Sequence, residues 1–202
     1  MSAVMAWRAR GLMARIAPLL PRDGSILDVG CGTGHNGERL RHLGLGPVAE
    51  VDVVNFKVAG PPPTLFDGCT LPFADGCFDA VTLVYVLHYA RAPGVLLKEA
   101  QRVCRGPVII VQTVCAGLSG TAFHSLNEFA SRVGFCAARA VRAIGHVPCP
   151  LRLRWRFSCY DLLRTARQAG LVPTQIRAER HFPLLPLTRM ICRFEPFKPA
   201  EG

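Results

Sequence analysis

Hydrophobic positions along the chain fall in short blocks separated by amphipathic stretches. SILDV (25–29), PVAEVDVV (47–54), FDAVTLVYV (78–86) and PVIIVQTV (107–114) are brief, rich in β-branched residues and flanked by turn formers, which predicts strands. GHNGERLRHLG (34–44) and PGVLLKEAQRVC (93–104) carry apolar residues at helical spacing. This alternation predicts βαβ wiring around a mostly parallel sheet. SILDV and PVIIVQTV lack a polar face, as expected of strands covered by helices on both sides.

The regularity breaks twice. In NFKVAGPPPTLF (55–66) three consecutive prolines forbid a full crossover helix, so a loop is expected there. From about Ala116 the pattern turns helical through SLNEFASRVGFCAARAVRAIG (125–145) and yields to a VPCP loop (147–150). SCYDLLRTARQAG (158–170) is expected to be a helix, with Ser158 and Asp161 in a capping arrangement and Gly170 as its stop. Strand candidates follow in VPTQIRAERHF (172–182) and RMICRF (189–194). The expected organisation is one domain over 1–202: an N-terminal helix (1–22), a ligand-binding core (23–115), a basic cap insertion over the sheet's ligand edge (116–157), and a helix with strands completing the sheet (158–202).

Length agrees with that division, because 202 residues, half of them hydrophobic, bury one substantial core and not two. The nine cysteines are odd in number and form no C-x-x-C pair, which favours a reducing, cytoplasmic setting over a disulfide framework or zinc, and no metal is expected. The longest apolar run, VIIVQTVCAGL, is interrupted by Gln112 and falls short of the roughly 20 residues a membrane span requires. The Arg-rich, acid-poor N-terminus is read as an amphipathic helix packed on the domain, in preference to a targeting peptide. Net charge is +10, and its distribution matters more than its size. Residues 1–114 hold eleven basic and nine acidic side chains, whereas 115–202 hold thirteen and five.

The chemistry is concentrated in DVGCGTGHNG (28–37). A strand turning through glycines into a helix aims backbone N–H groups and a positive helix end at an anion. Gly32, Gly34 and Gly37 satisfy the dinucleotide spacing, Gly30, Gly32 and Gly34 a second one, and Asp52 ending the next strand can grip ribose hydroxyls in either case. The downstream segment DGCTLPFADGCFDAVTLVYVLHY (67–89) has no counterpart in the dinucleotide pattern.

ILDVGCGTG followed by D-x-x-x-LPF-x-D-x-x-FD, over about Ser25–Val111, resembles the class I S-adenosylmethionine-dependent methyltransferase family, in particular its small-molecule branch, the type 11-like domain. The resemblance implies a Rossmann-like, doubly wound α/β fold with a seven-stranded, mostly parallel sheet. It implies S-adenosyl-L-methionine as cofactor. Gly30, Gly32 and Gly34 would lie under its methionyl end with Asp28 supporting that loop or the cofactor amino group, Asp52 would hold the ribose, Asp67 with the Gly68 backbone would take the adenine, and Leu83 and Val84 would line the cofactor. The sequence departs from the pattern at Glu50, often glycine, in the lost second crossover helix, and at Arg105-Gly106-Pro107 in place of Pro-Gly-Gly.

Methyl transfer from a sulfonium is an in-line displacement in which the donor carries its own activation, so alignment matters more than a catalytic dyad. If a base is used, His88 is the candidate, because it follows the fourth strand at the ligand edge and titrates near neutrality; Tyr85 and Tyr89 are candidates for holding substrate. His124, His146 and His181 are not placed by sequence. In LRLRWRF (151–157), an extended chain would put Arg152, Arg154 and Arg156 on one face and Leu151, Leu153, Trp155 and Phe157 on the other, with Arg132, Arg139 and Arg142 adding charge nearby. A basic, apolar-rich cap favours a hydrophobic small-molecule substrate (lipid, quinone, isoprenoid or aromatic metabolite) with peripheral membrane contact. An RNA methyltransferase is the alternative, nucleic acid being less favoured for want of a recognisable module. A nicotinamide-dependent oxidoreductase and a noncatalytic partner protein are the remaining readings.

Overall fold

The computed structural model describes residues 2–115, 154–180 and 187–197. Among these, helix α1 (Ser2–Ile16) runs into a 3-10 turn (Ala17–Leu19) and is followed by β1 (Ile26–Val29), α2 (His35–His42), β2 (Val48–Asp52), β3 (Thr64–Leu65), β4 (Ala80–Val84), α3 (Pro93–Val103) and β5 (Val108–Cys115). The C-terminal part adds α4 (Cys159–Gln168), β6 (Leu171–Arg180) and β7 (Leu187–Pro196). The strands form one seven-stranded sheet in the order β3-β2-β1-β4-β5-β7-β6. Pairings from β3 to β5 are parallel, whereas β7 runs antiparallel to both β5 and β6.

The doubly wound arrangement follows from the pleat, which sends alternate residues of each strand to opposite faces. Leu27, Val29, Val81 and Leu83 pack on one face against Leu97 of α3 and Leu162 of α4. Ile26, Ala80 and Val84 pack on the other against Met13 and Ile16 of α1 and Leu40 of α2. With both faces covered, β1 and β4 are buried along their whole length. The N-terminal helix therefore does packing work on its inner face, while Trp7 stands 75% exposed on its outer one.

Residues 53–63 contain no helix, as the prolines dictate, but the expectation of an unbroken loop needs correction. Thr64 and Leu65, directly after the last proline, pair with Val51 and Asp52 and close that edge of the sheet as β3. They are the first consecutive residues past the prolines with N–H groups to offer a ladder. At the other end, Ser158 caps α4 as expected: its Oγ accepts from Asp161 N at 3.1 Å, and Asp161 Oδ2 accepts from Ser158 Oγ at 2.7 Å. Most of the expected cap, with Arg132, Arg139, Arg142, Arg152, His124 and His146, lies outside the described residues, as does His181. Residues 154–158 form no strand, and the expected alternation holds only in part: Phe157 is buried and Arg154 and Arg156 are exposed, but so is Trp155, at 45%.

Candidate functional site

β1 and β4 sit side by side while their connections run to opposite sides of the sheet, so a crevice opens at their carboxyl ends. A cavity of about 360 Å³ occupies it. Gly30 and Gly32 form its floor, Asp52 and Val53 one wall, and Phe66, Asp67 and Gly68 the end beyond. Val84, Tyr85, Val86 and Tyr89 form the opposite wall, and Arg91, Leu96 and Arg154 complete it.

The glycine turn is held from below and open from above. Gly30 N and Cys31 N both donate to the Val51 carbonyl, at 2.8 and 3.1 Å, tying the turn to β2. A Cβ on Gly32 would meet nothing within 4 Å, so this backbone faces open cavity space. Gly34, at φ 82°, has no such room: a Cβ there would come within 2.6 Å of Lys57 Cε and against the Ala59 carbonyl. The 57–59 loop is therefore seated on the turn, and Val58 N and Ala59 N both donate to Thr33 O.

Three carboxylates surround that turn. Asp52 accepts from Gly32 N at 2.8 Å and Val53 N at 2.7 Å; burial raises its carboxyl above the ordinary value, and these amide bonds oppose the rise. Asp28 lies beneath the turn, fully buried, with Oδ1 accepting from Thr82 Oγ1 at 2.8 Å and no hydrogen-bond partner for Oδ2 among the described residues. Burial pushes its carboxyl up to about 7, against the Thr82 bond and helped by the nearby Glu50 and Asp52 charges. Glu50 departs from the expected glycine, and its charge is met by Lys57 and Arg41.

A fourth carboxylate, Asp67, is exposed and lies outside the turn. Its Oδ1 accepts from Cys69 N at 2.8 Å and Thr70 N at 2.7 Å, and bonds from Thr70 and Cys69 hold its carboxyl below the usual range. Asp79, at the start of β4, accepts from Ser25 N, Ser25 Oγ and Arg105 Nε and serves the strand junction instead of the cavity.

Beyond β4, Tyr85 adopts φ 58°, a left-handed conformation that costs a tyrosine of order 1–3 kcal/mol and turns the chain sharply at the cavity wall. Tyr89 lines the cavity; His88 does not. His88 is buried, its Nδ1 meets the Gln112 amide, and its ring lies tilted by 54° against Tyr89 with centroids 4.0 Å apart. The His88 carbonyl receives Arg154 N at 2.8 Å and Trp155 N at 3.2 Å, and Trp155 Nε1 donates to the Ala90 carbonyl at 2.9 Å.

The structure thus brings Gly30, Gly32, Asp52, Asp67, Gly68, Val84 and Tyr89 to the cavity surface. Asp28 and Gly34 lie under or beside the glycine turn, and Leu83 is in the core. Sequence reasoning missed Phe66 and Arg91, for which no local pattern exists, and placed Arg154 only on an outward ribbon. No group of three or more His, Cys, Asp or Glu suited to a metal occurs among the described residues.

Residues 27–111 match a family model described as "Methyltransferase domain". Among curated proteins, a demethylmenaquinone methyltransferase of Corynebacterium urealyticum (strain ATCC 43042 / DSM 7109) is 37% identical over 103 residues, covering 49% of this chain and 44% of its own. A tRNA U34 carboxymethyltransferase of Geobacter sp. (strain M21) is 26% identical over 188 residues, covering 80% and 54%. The chain spans about half the length of these curated relatives. Among solved structures, the Burkholderia thailandensis 1,6-didemethyltoxoflavin-N1-methyltransferase, with bound 1,6-didemethyltoxoflavin and S-adenosylhomocysteine, superposes with a TM-score of 0.63 at 16% identity, covering 96% of this chain and 78% of its own.

Sheet order, reversed β7 and the crevice over the glycine turn define a doubly wound, Rossmann-like fold. Over residues 27–111 the chain is thus similar to the methyltransferase domain, a family that uses S-adenosylmethionine as its cofactor. The residues present suit that group: an open glycine backbone at Gly32 can take a carboxylate, and Asp52 and Asp67 stand apart on the wall beyond it as acceptors for a ribose and a purine.

Proposed function

We propose that this protein transfers a methyl group from S-adenosylmethionine to a hydrophobic small molecule. The observation that carries the reading is the joint placement of Asp52, Asp67 and the open Gly32 backbone around one cavity whose remaining wall is largely aromatic and apolar. In this reading Gly30, Gly32 and Gly34 shape the floor under the methionyl end, Asp28 supports that floor from below, and Asp52 holds the ribose diol. Asp67 and the Gly68 backbone receive the adenine, and Val84 closes the side, with Leu83 behind it.

The cofactor supplies a methyl carbon already bonded to a good leaving group. The chain's own task is to orient the acceptor, exclude water and take up any proton the acceptor releases. Tyr89 is the group with access to the acceptor, and its hydroxyl offers a hydrogen bond there. His88 acts through it: held by Gln112 and in tilted ring contact with Tyr89, it fixes that ring's position.

An RNA acceptor is the second reading, supported by the similarity to the tRNA-modifying relative over 80% of this chain and by the basic C-terminal part. Labelled methyl transfer from the cofactor into fractionated cell extract separates the two. Label in an organic-extractable small molecule supports the first; label in RNA, with affinity falling steeply as salt rises, supports the second. The basic segment through Arg154 and Arg156 and the exposed Trp7 of α1 also support peripheral contact with an anionic membrane. No helix among the described residues is long and apolar enough to cross one.

A further inference from the structure

The charges lining the cavity do not balance once the methyltransferase reading is adopted. Among the described residues, Asp52 and Asp67 are the carboxylates that line the cavity, and Arg91 and Arg154 are the cations. A bound cofactor brings one carboxylate, one ammonium and one sulfonium, so the site carries an excess positive charge before an acceptor arrives.

Neither arginine is neutralised elsewhere. Both are exposed, and among the described residues neither side chain has an ion-pair or hydrogen-bond partner, Arg91 acting at a distance on Asp67. A guanidinium at a cavity wall without a carboxylate presents a planar set of donors suited to a carboxylate, sulfate or phosphate. Both cations are anchored by their backbones. Arg154 N donates to the His88 carbonyl, and Arg91 follows Ala90, whose carbonyl holds the Trp155 indole.

The same wall contains the start of α3. That helix has Pro93 in its first turn, no acidic residue there and no side-chain cap, and its Leu96 lines the cavity. Its positive end adds to the field of the two arginines. Tyr85, Val86 and Tyr89 line the same cavity and provide aromatic and apolar surface.

We propose that the acceptor is a small amphiphile whose apolar or aromatic body lies on Tyr85, Val86 and Tyr89 and whose anionic group is held by Arg154 and Arg91. The inference rests on the methyltransferase reading and narrows it from hydrophobic to anionic-amphiphilic substrates. Arg154 is then a specificity-determining residue, and a neutral analogue of the same shape is a poorer ligand.

The test uses the full chain saturated with S-adenosylhomocysteine and two fluorescent probes of similar body. These are 8-anilinonaphthalene-1-sulfonate, an anion, and N-phenyl-1-naphthylamine, which is neutral. The expected result is that R154Q and R91Q each weaken the anionic probe by about fivefold or more, leaving the neutral probe and S-adenosylhomocysteine unchanged. R164Q, on the outer surface of α4, should change neither probe. Binding of the anionic probe should also weaken with added salt, whereas the neutral one should not. The proposal is overturned if both probes weaken alike, if neither arginine variant affects the anion, or if R164Q weakens it equally. Failure of the wild-type protein to bind S-adenosylhomocysteine at all, seen before any probe is added, would instead bring down the underlying reading and this inference with it.

Discussion

Lys57 Nζ lies 2.5 Å from Glu50 Oε2, and the two side chains are only 3% and 2% exposed. This buried pair accounts for two oddities of the sequence at once. Glu50 fits because Gly37 of α2 faces it, where a Cβ would come within 2.5 Å of the Glu50 carboxyl. Lys57 sits on the loop that replaces a crossover helix and presses that loop onto Gly34. The third glycine of the apparent dinucleotide fingerprint thus makes room for a carboxylate inside the protein.

Gly37→Ala should therefore destabilise the fold by about 1–3 kcal/mol through overpacking, and Glu50→Ala in the same chain should recover most of that loss. Lys57→Met leaves Glu50 with Arg41 as its one cation among the described residues and should cost about 3 kcal/mol. Thermal or urea unfolding of the single and double variants measures both; additive losses at 37 and 50 would contradict the packing account.

Asp28 gives stability a pH dependence of defined sign. Its carboxyl titrates near 7 when folded and near 3.8 when unfolded, so between these values the folded state binds more protons. Its contribution is therefore most favourable below about pH 4 and is lost as pH rises through 7, a swing of order 4 kcal/mol. Asp28→Asn should flatten the fall in stability between pH 5 and pH 8. Urea midpoints across that range check it, and an unchanged slope would contradict the assignment.

Ser158 offers a local check on the C-terminal helix. Ser158→Ala removes the oxygen that accepts from Asp161 N and should cost about 1 kcal/mol of stability without altering cofactor affinity.

His88 and Tyr89 should separate kinetically. Tyr89→Phe is expected to lower turnover while leaving cofactor binding and melting temperature near wild type, because Tyr89 meets the cavity. His88→Gln is expected to lower both stability and turnover, since it disturbs the buried contact with Gln112. A loss in kcat of about 100-fold or more at unchanged cofactor affinity would mark His88 as the group that takes the acceptor's proton by way of Tyr89.

What the sequence revealed and what it hid follow from interaction range. SILDV, PVIIVQTV and the Ser158–Asp161 cap depend on neighbours within a few residues, so their patterns are visible in the string. The two-residue β3 is fixed by pairing with Val51 and Asp52 across the proline loop, and its own composition says little. Asp52 and Asp67 were legible as a pair through a spaced motif, and the structure brings both to one cavity. The burial of His88 is set by Gln112, 24 residues away on β5, and the arrival of Arg154 at the cavity by a backbone bond spanning 66 residues to the His88 carbonyl; no local pattern encodes either.

Isothermal titration of the wild-type protein, Asp52→Asn and Asp67→Asn with S-adenosylhomocysteine tests the central claim most directly. The account predicts clear binding heat for the wild type and affinity weakened by about tenfold or more in each variant, with the exposed Asp67→Asn keeping the wild-type melting temperature. Absence of heat with the folded wild-type chain, or equal affinity in all three proteins, would contradict it.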